Sequence, residues 1–151
     1  MKDEQFMKSA LEVALTRTSG KYFGAVVVHQ GTIVASAYTT TIEDNDPTNH
    51  AEIKAIRQAA HALGSRRLND CILYSTCEPC MMCTGAVLWA QISEVVFAVS
   101  VADFPAYFAN SKNWQKPIES LVPSGMIVRR GILRNTVMEV LKGSLKSPTP
   151  D

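Results

Sequence analysis

Two stretches, "NHAE" at 49–52 and "CEPCMMC" at 77–83, constrain this chain more than anything else in it. Each stands where a helix begins. From Ala51 to Leu63 the residues Ile53, Ile56, Ala60 and Leu63 keep helical period, and Gly64 sits where a C-terminal cap belongs. Residues 80–91 read as a second helix that starts directly after Pro79, whose fixed φ and missing N–H suit a first turn. Cys80 and Cys83, three apart, share one face of that turn, so both sulfurs can reach one ion. A helix start also offers free N–H groups and a partial positive charge, which favour thiolate over thiol. If His50 joins the two sulfurs on one ion, the two helices must start side by side.

The rest of the pattern supplies a frame. Phe6, Met7, Ala10, Leu11, Ala14 and Leu15 recur at helical spacing within 3–18, and Gly20 stops the pattern. "YFGAVVVH" and "TIVASAY" flank "QG" as a hairpin, Tyr22–His29 with Thr32–Tyr38. "CILYST" and "EVVFAVS" read as further strands, the former with few polar interruptions, as a buried one requires. "MIVRR" reads as a last strand and Leu133–Leu145 as a last helix. The long segment 101–125 carries Phe104, Tyr107, Phe108 and Trp114, and such a segment serves as a lid or binding loop or holds a short helix. This order predicts an α/β fold: a central mixed five-stranded sheet with helices on both faces, in three α/β/α layers. One domain over residues 1–151 is expected, frayed at about 147–151.

Composition narrows the class. Apolar residues make up 46% of the 151 and charged residues 19%, a globular balance. No apolar run approaches the ~20 residues that span a bilayer, and the N-terminus lacks a signal-type apolar core, so a soluble cytoplasmic protein with no membrane partner is expected. In that compartment four cysteines are thiols or metal ligands. The net charge of +1 gives the whole chain no general attraction to nucleic acid. One region departs from this. Residues 126–147 hold Arg129, Arg130, Arg134, Lys142 and Lys146 against Glu139 alone, a net of +4.

The cysteines admit several readings. A bare C-x-x-C serves redox or structural-metal roles, Cys77 could complete a four-ligand zinc site, and three cysteines with an outside ligand could hold an iron–sulfur cluster. A redox pair explains neither His50 nor Glu52. One imidazole and two thiolates suit Zn²⁺ and leave a fourth position for water. Glu52, two residues from His50, does not share its direction along the helix, so it can lie beside such an ion as a proton carrier. Cys77, before the proline and at a strand end, is expected as a small buried thiol, and Cys71 as core.

The pairing of H-x-E with P-C-x-x-C is a signature of zinc base deaminases. Through "NDPTNHAEIKAIR", "LNDCILYSTCEPCMMCTGAVLWA" and "VVFAV" the chain resembles the cytidine deaminase-like superfamily, over about Phe23 to Val99. "FGAVVV", Cys77 before Glu78, and Trp89 look like the bacterial guanine deaminase branch. The tail "RRGILRNTVMEVL" looks more like the bacterial tRNA adenosine deaminases. The resemblance implies one Zn²⁺ held by His50, Cys80 and Cys83, Glu52 as proton shuttle, and substrate contacts from Phe23, Thr39, Ala51, Trp89 and Asp103. Of these, Phe23 and Trp89 would flank the base. Thr39 stands where the family commonly has an asparagine that bonds the ring. A hydroxyl on a shorter arm cannot repeat a carboxamide's paired contact. The acidic residues and C-terminal aromatic of guanine-specific relatives reduce here to Asp103, with nothing aromatic after Trp114. The expected reaction is hydrolytic deamination of a small nucleobase-like heterocycle, guanine-type in the first instance. The alternatives are an adenosine in tRNA and a non-catalytic zinc-binding subunit. A homodimer is the expected assembly.

Overall fold

A computed structural model describes residues 2–18, 20–111 and 115–145; Trp114 and the expected tail 147–151 lie outside them. Helix α1 (Lys2–Leu15) is followed by strands β1 (Gly24–His29) and β2 (Thr32–Tyr38), helix α2 (Ala51–Leu63), strand β3 (Cys71–Cys77) and helix α3 (Met81–Ala90). Strand β4 (Glu94–Val99), three short 3-10 turns, strand β5 (Ile127–Arg130) and helix α4 (Arg134–Ser144) complete the order. The sheet runs β2-β1-β3-β4-β5. Strand β1 is antiparallel to both β2 and β3, whereas β3, β4 and β5 are mutually parallel. The connections dictate this. Gln30 and Gly31, both at positive φ, close the hairpin in two residues, and each parallel step spends a helix or a long segment on its crossover.

Both faces of the sheet are covered, so the expected mixed five-stranded α/β arrangement is realised. Ala25, Val27, Leu73, Val95 and Phe97 pack with Ala55 and Ala59 of α2 and Val87 of α3. Val26, Val28, Tyr74 and Val96 pack with Met7 and Leu11 of α1 and Val137 and Leu141 of α4. Alternation along each strand produces the two sets. Helix α1 crosses β1 so closely that a Cβ on Gly24 would fall 2.1 Å from the Ala10 carbonyl oxygen. The helix ends at Leu15, three residues short of the expected stop. Beyond it the Arg17 guanidinium turns inward, donating to both Glu43 oxygens (3.0 and 2.8 Å) and to the Lys21 carbonyl. Among the described residues no helix is long and apolar enough to cross a membrane.

Among the described residues, the cations of the basic C-terminal region are all paired with acids, most of them from elsewhere in the chain. Arg129 pairs with Asp3 (2.6 Å) and Glu94, Arg130 with Glu119, Arg134 with Asp103 (2.6 Å) and Lys142 with Glu139 (2.9 Å). Four cations thus meet five carboxylates, four of them distant in sequence from the run that a linear count scores as +4.

Candidate functional site

Strands β3 and β4 are parallel neighbours, and Cys77 is in register with Val99 at their carboxyl ends. The chain leaves β3 through Glu78 and Pro79 into α3, and leaves β4 into the segment 101–125. Such a carboxyl edge is where open α/β sheets place ligands. Helices α2 and α3 both start there. His50 and Cys80 are extended N-cap residues (ψ 155° and 176°), and the Cys83 N–H donates to the Cys80 sulfur at 3.5 Å. The expected helix at 80–91 is therefore capped by Cys80 and begins at Met81, because the sulfur fills the acceptor role usually held by Ser or Asp.

The three candidate ligands converge. His50 Nδ1 lies 3.6 Å from Cys80 Sγ and 3.5 Å from Cys83 Sγ, and all three ligand atoms lie within 4.8 Å of one another. Tetrahedral zinc with Zn–N of ~2.05 Å and Zn–S of ~2.3 Å requires N···S edges of about 3.6 Å. The donor set and its spacing fit zinc. The Cys80 thiol is brought down to about 4, chiefly by its bond with Cys83 and then by His50, while the same bond and burial push the Cys83 thiol up. One sulfur is thus a thiolate at neutral pH, and coordination deprotonates the second. Cys77 packs instead among residues of the α1/α4 core, and burial keeps its thiol protonated.

Glu52, in the first turn of α2, is 6% exposed. Its Oε1 lies 2.8 Å from the Ser75 hydroxyl and its Oε2 3.5 Å from Cys83 Sγ. Burial raises its pKa, which favours the proton-carrying form that a shuttle alternates through. Ser75, also 2.7 Å from the Cys77 carbonyl, fixes the carboxylate's orientation. The sequence reading missed it. The available signal was the polar pair "ST" inside an otherwise apolar buried strand. Also missed was Glu78, a buried acid held between Cys77 and Pro79.

The candidate substrate contacts divide. Thr39 is 2% exposed, and its Oγ1 accepts the Ala51 N–H at 3.2 Å, capping the first free donor of α2 one residue from His50. Thr39 and Ala51 therefore lie at the metal cluster. The Phe23 carbonyl accepts the Thr39 N–H, and its ring meets Tyr107 at 6.2 Å between centroids, joining the site to the aromatic segment. Asp103 has its carboxylate engaged by the Ser100 N–H and by Arg134, which holds its pKa below the usual range. Trp89 is 89% exposed, on a different face of α3 from the buried Cys83, so a single chain does not bring it to the cluster.

Residues 1–99 match the cytidine and deoxycytidylate deaminase zinc-binding region. The guanine deaminase of Bacillus subtilis (strain 168) is 44% identical over 106 residues, 68% of each chain. A tRNA-specific adenosine deaminase of Buchnera aphidicola subsp. Schizaphis graminum is 33% identical over 150 residues, 97% of this chain and 95% of that one. In fold, the structure of a guanine deaminase from Nitrosomonas europaea superposes with a TM-score of 0.79 at 24% identity, covering 94% of this chain and 84% of that one. With a zinc-fitting His50–Cys80–Cys83 cluster set between two helix starts, the chain belongs to the zinc-binding cytidine and deoxycytidylate deaminase family.

Proposed function

We propose that the chain hydrolytically deaminates a free, base-sized heterocycle, guanine-type in the first instance. The observation that carries the choice of a small ring is the internal pairing of the described cations of the C-terminal region. Arg129, Arg130, Arg134 and Lys142 are each paired with an acid, which lowers the net positive charge that the sequence offered to an RNA backbone. The similarity to the Bacillus guanine deaminase supports the same reading. When bound at His50, Cys80 and Cys83, zinc supplies an acidic water at neutral pH. Glu52 takes a proton at Oε2, the oxygen nearest the ligand sulfur, while Ser75 steadies Oε1. The oxygen that gave up this proton bonds to the ring carbon bearing the amine, and the carboxyl group returns the proton to the exocyclic nitrogen as the carbon–nitrogen bond breaks and ammonia leaves. Thr39, one lone pair given to Ala51, keeps its O–H as a donor toward the ring. The buried shuttle also weighs against a non-catalytic zinc subunit, which has no use for one.

A second reading, adenosine within a tRNA, is favoured by the near full-length similarity to the Buchnera enzyme. Salt dependence separates the two. Each phosphate neutralised by a protein cation steepens the fall of affinity with salt, by ~0.7–0.9 in the log–log slope. With the basic residues paired internally, an anticodon stem-loop should bind weakly and with a slope below about 2 in magnitude. Tight binding with a slope of about 4 or more would overturn the small-ring reading.

The same reading includes a homodimer. Helix α3 is apolar all round, and it presents Met81, Leu88 and Trp89 to solvent, a pattern that calls for burial. A second copy would cover Trp89 and let it act at a subunit boundary. Sedimentation of the wild type should give twice the 16.5 kDa chain mass and Trp89→Arg the single mass. A wild-type monomer at micromolar concentration contradicts the assembly.

A further inference from the structure

We propose that Glu78 is a positioning residue for substrate, a carboxylate clamp that fixes both ends of the aromatic segment 101–118 against the metal-binding loop. The inference rests on the reading of that segment as the cover of a small ring. Glu78 is 7% exposed and stands between Cys77 and Pro79, two residues before the ligand Cys80. Its own N–H donates to the Val99 carbonyl at 2.8 Å, at the end of β4. Its Oε1 accepts the Val101 N–H at 3.1 Å, where the segment departs. Its Oε2 accepts the Ile118 N–H at 2.9 Å, where the segment returns, and Ile118 is fully buried. One side chain thus ties the metal loop to both feet of the excursion that carries Phe104, Tyr107 and Phe108. Between the feet, Tyr107 leans on Phe23, whose backbone holds Thr39 beside His50.

The chemistry of the side chain matters. Two N–H groups converge on it, and only a carboxylate offers two acceptor oxygens with no donor. Glutamine, of the same size, would keep one bond and turn its NH₂ against the other N–H. The segment would stay tethered through β4 and through the Asp103–Arg134 pair, so the placement of Tyr107 against Phe23 changes while the fold is retained. His50 and Cys80 cap α2 and α3, Cys83 and Glu52 lie in their first turns, and these helix starts keep their own bonds without Glu78. The loss therefore falls on substrate binding.

The test compares zinc-loaded wild type, Glu78→Gln and Val101→Pro. The proline removes one donor from the segment's side, at a helix start that follows an extended Ser100 (ψ 162°), where proline is tolerated. It tests the clamp independently should Glu78→Gln fail to fold. Hydrogen exchange over 101–118 should accelerate about tenfold or more in each variant, the effect of losing a bond to a charged group. Zinc content should be unchanged. For ammonia release from guanine, KM should rise about tenfold with kcat within about threefold, as for an interaction made equally in ground and transition states. Unchanged exchange overturns the clamp. Faster exchange with unchanged KM overturns the positioning role and leaves Glu78 as a fold contact. If the wild type leaves guanine and every other free ring untouched, the small-ring reading falls separately, and the same KM comparison on a tRNA anticodon stem-loop decides the role of Glu78.

Discussion

Replacing Glu52 with glutamine should leave fold and zinc content intact and lower turnover by about 10²–10⁴-fold, the usual contribution of a positioned acid–base group. The amide fills the same buried space between Ser75 and Cys83 and can still accept from the Ser75 hydroxyl. It cannot take up a proton and return it. Because burial already favours the neutral form of Glu52, an uncharged replacement introduces no new desolvation cost, so thermal stability should match or exceed that of the wild type. Zinc analysis, a melting curve and ammonia release on the same sample check all three. Turnover within a few-fold of wild type would remove the shuttle role from Glu52.

Cys83→Ala should abolish activity by a different route, through loss of the metal. Cys83 is wholly buried, and its sulfur lies 3.5 Å from His50 Nδ1. Without it, one imidazole and one sulfur remain, and Cys80 also loses the bond that chiefly holds its thiol at about 4. After dialysis against a chelator the wild type should keep about one zinc per chain and the variant close to none. Cys77→Ala should keep its zinc, since that sulfur packs with the α1/α4 core. The purified wild type should be colourless. A brown protein with iron and acid-labile sulfide, or zinc loss in Cys77→Ala, would contradict the ligand set.

The two sulfur ligands were legible in the sequence because local rules bring them together, whereas the meeting of His50 with them across 30 residues was implied by the family resemblance. A proline and a cap residue announce a helix start, a spacing of three puts two sulfurs on one turn, and the H-x-E pair places an acid off the ligand axis. The strands and helices were legible for the same reason, with ends displaced where a distant partner intervened, as at Arg17 with Glu43. What the sequence could not show were contacts between remote segments. A linear count of Arg129, Arg130 and Arg134 gives a basic patch, yet their carboxylates come from residues 3, 94, 119 and 103, which only the sheet order brings near. The same holds for Ser75 beside Glu52 and for the two N–H groups that meet Glu78. Thr39 came to notice through a family asparagine, while its role as cap of α2 follows from the fold. Asp103 was named through the acidic residues of guanine-specific relatives, while its pairing with Arg134, 31 residues away, follows from the fold.

A competition for ammonia release tests most directly whether the chain is a zinc-dependent deaminase of a free ring. Zinc-loaded protein is offered guanine, other free bases, nucleosides and a tRNA anticodon stem-loop at matched concentrations, with Glu52→Gln as control. Ammonia is expected from a free ring, guanine first, with none from the stem-loop and none from the control. Deamination of the stem-loop while every free ring stays untouched would contradict the free-ring reading.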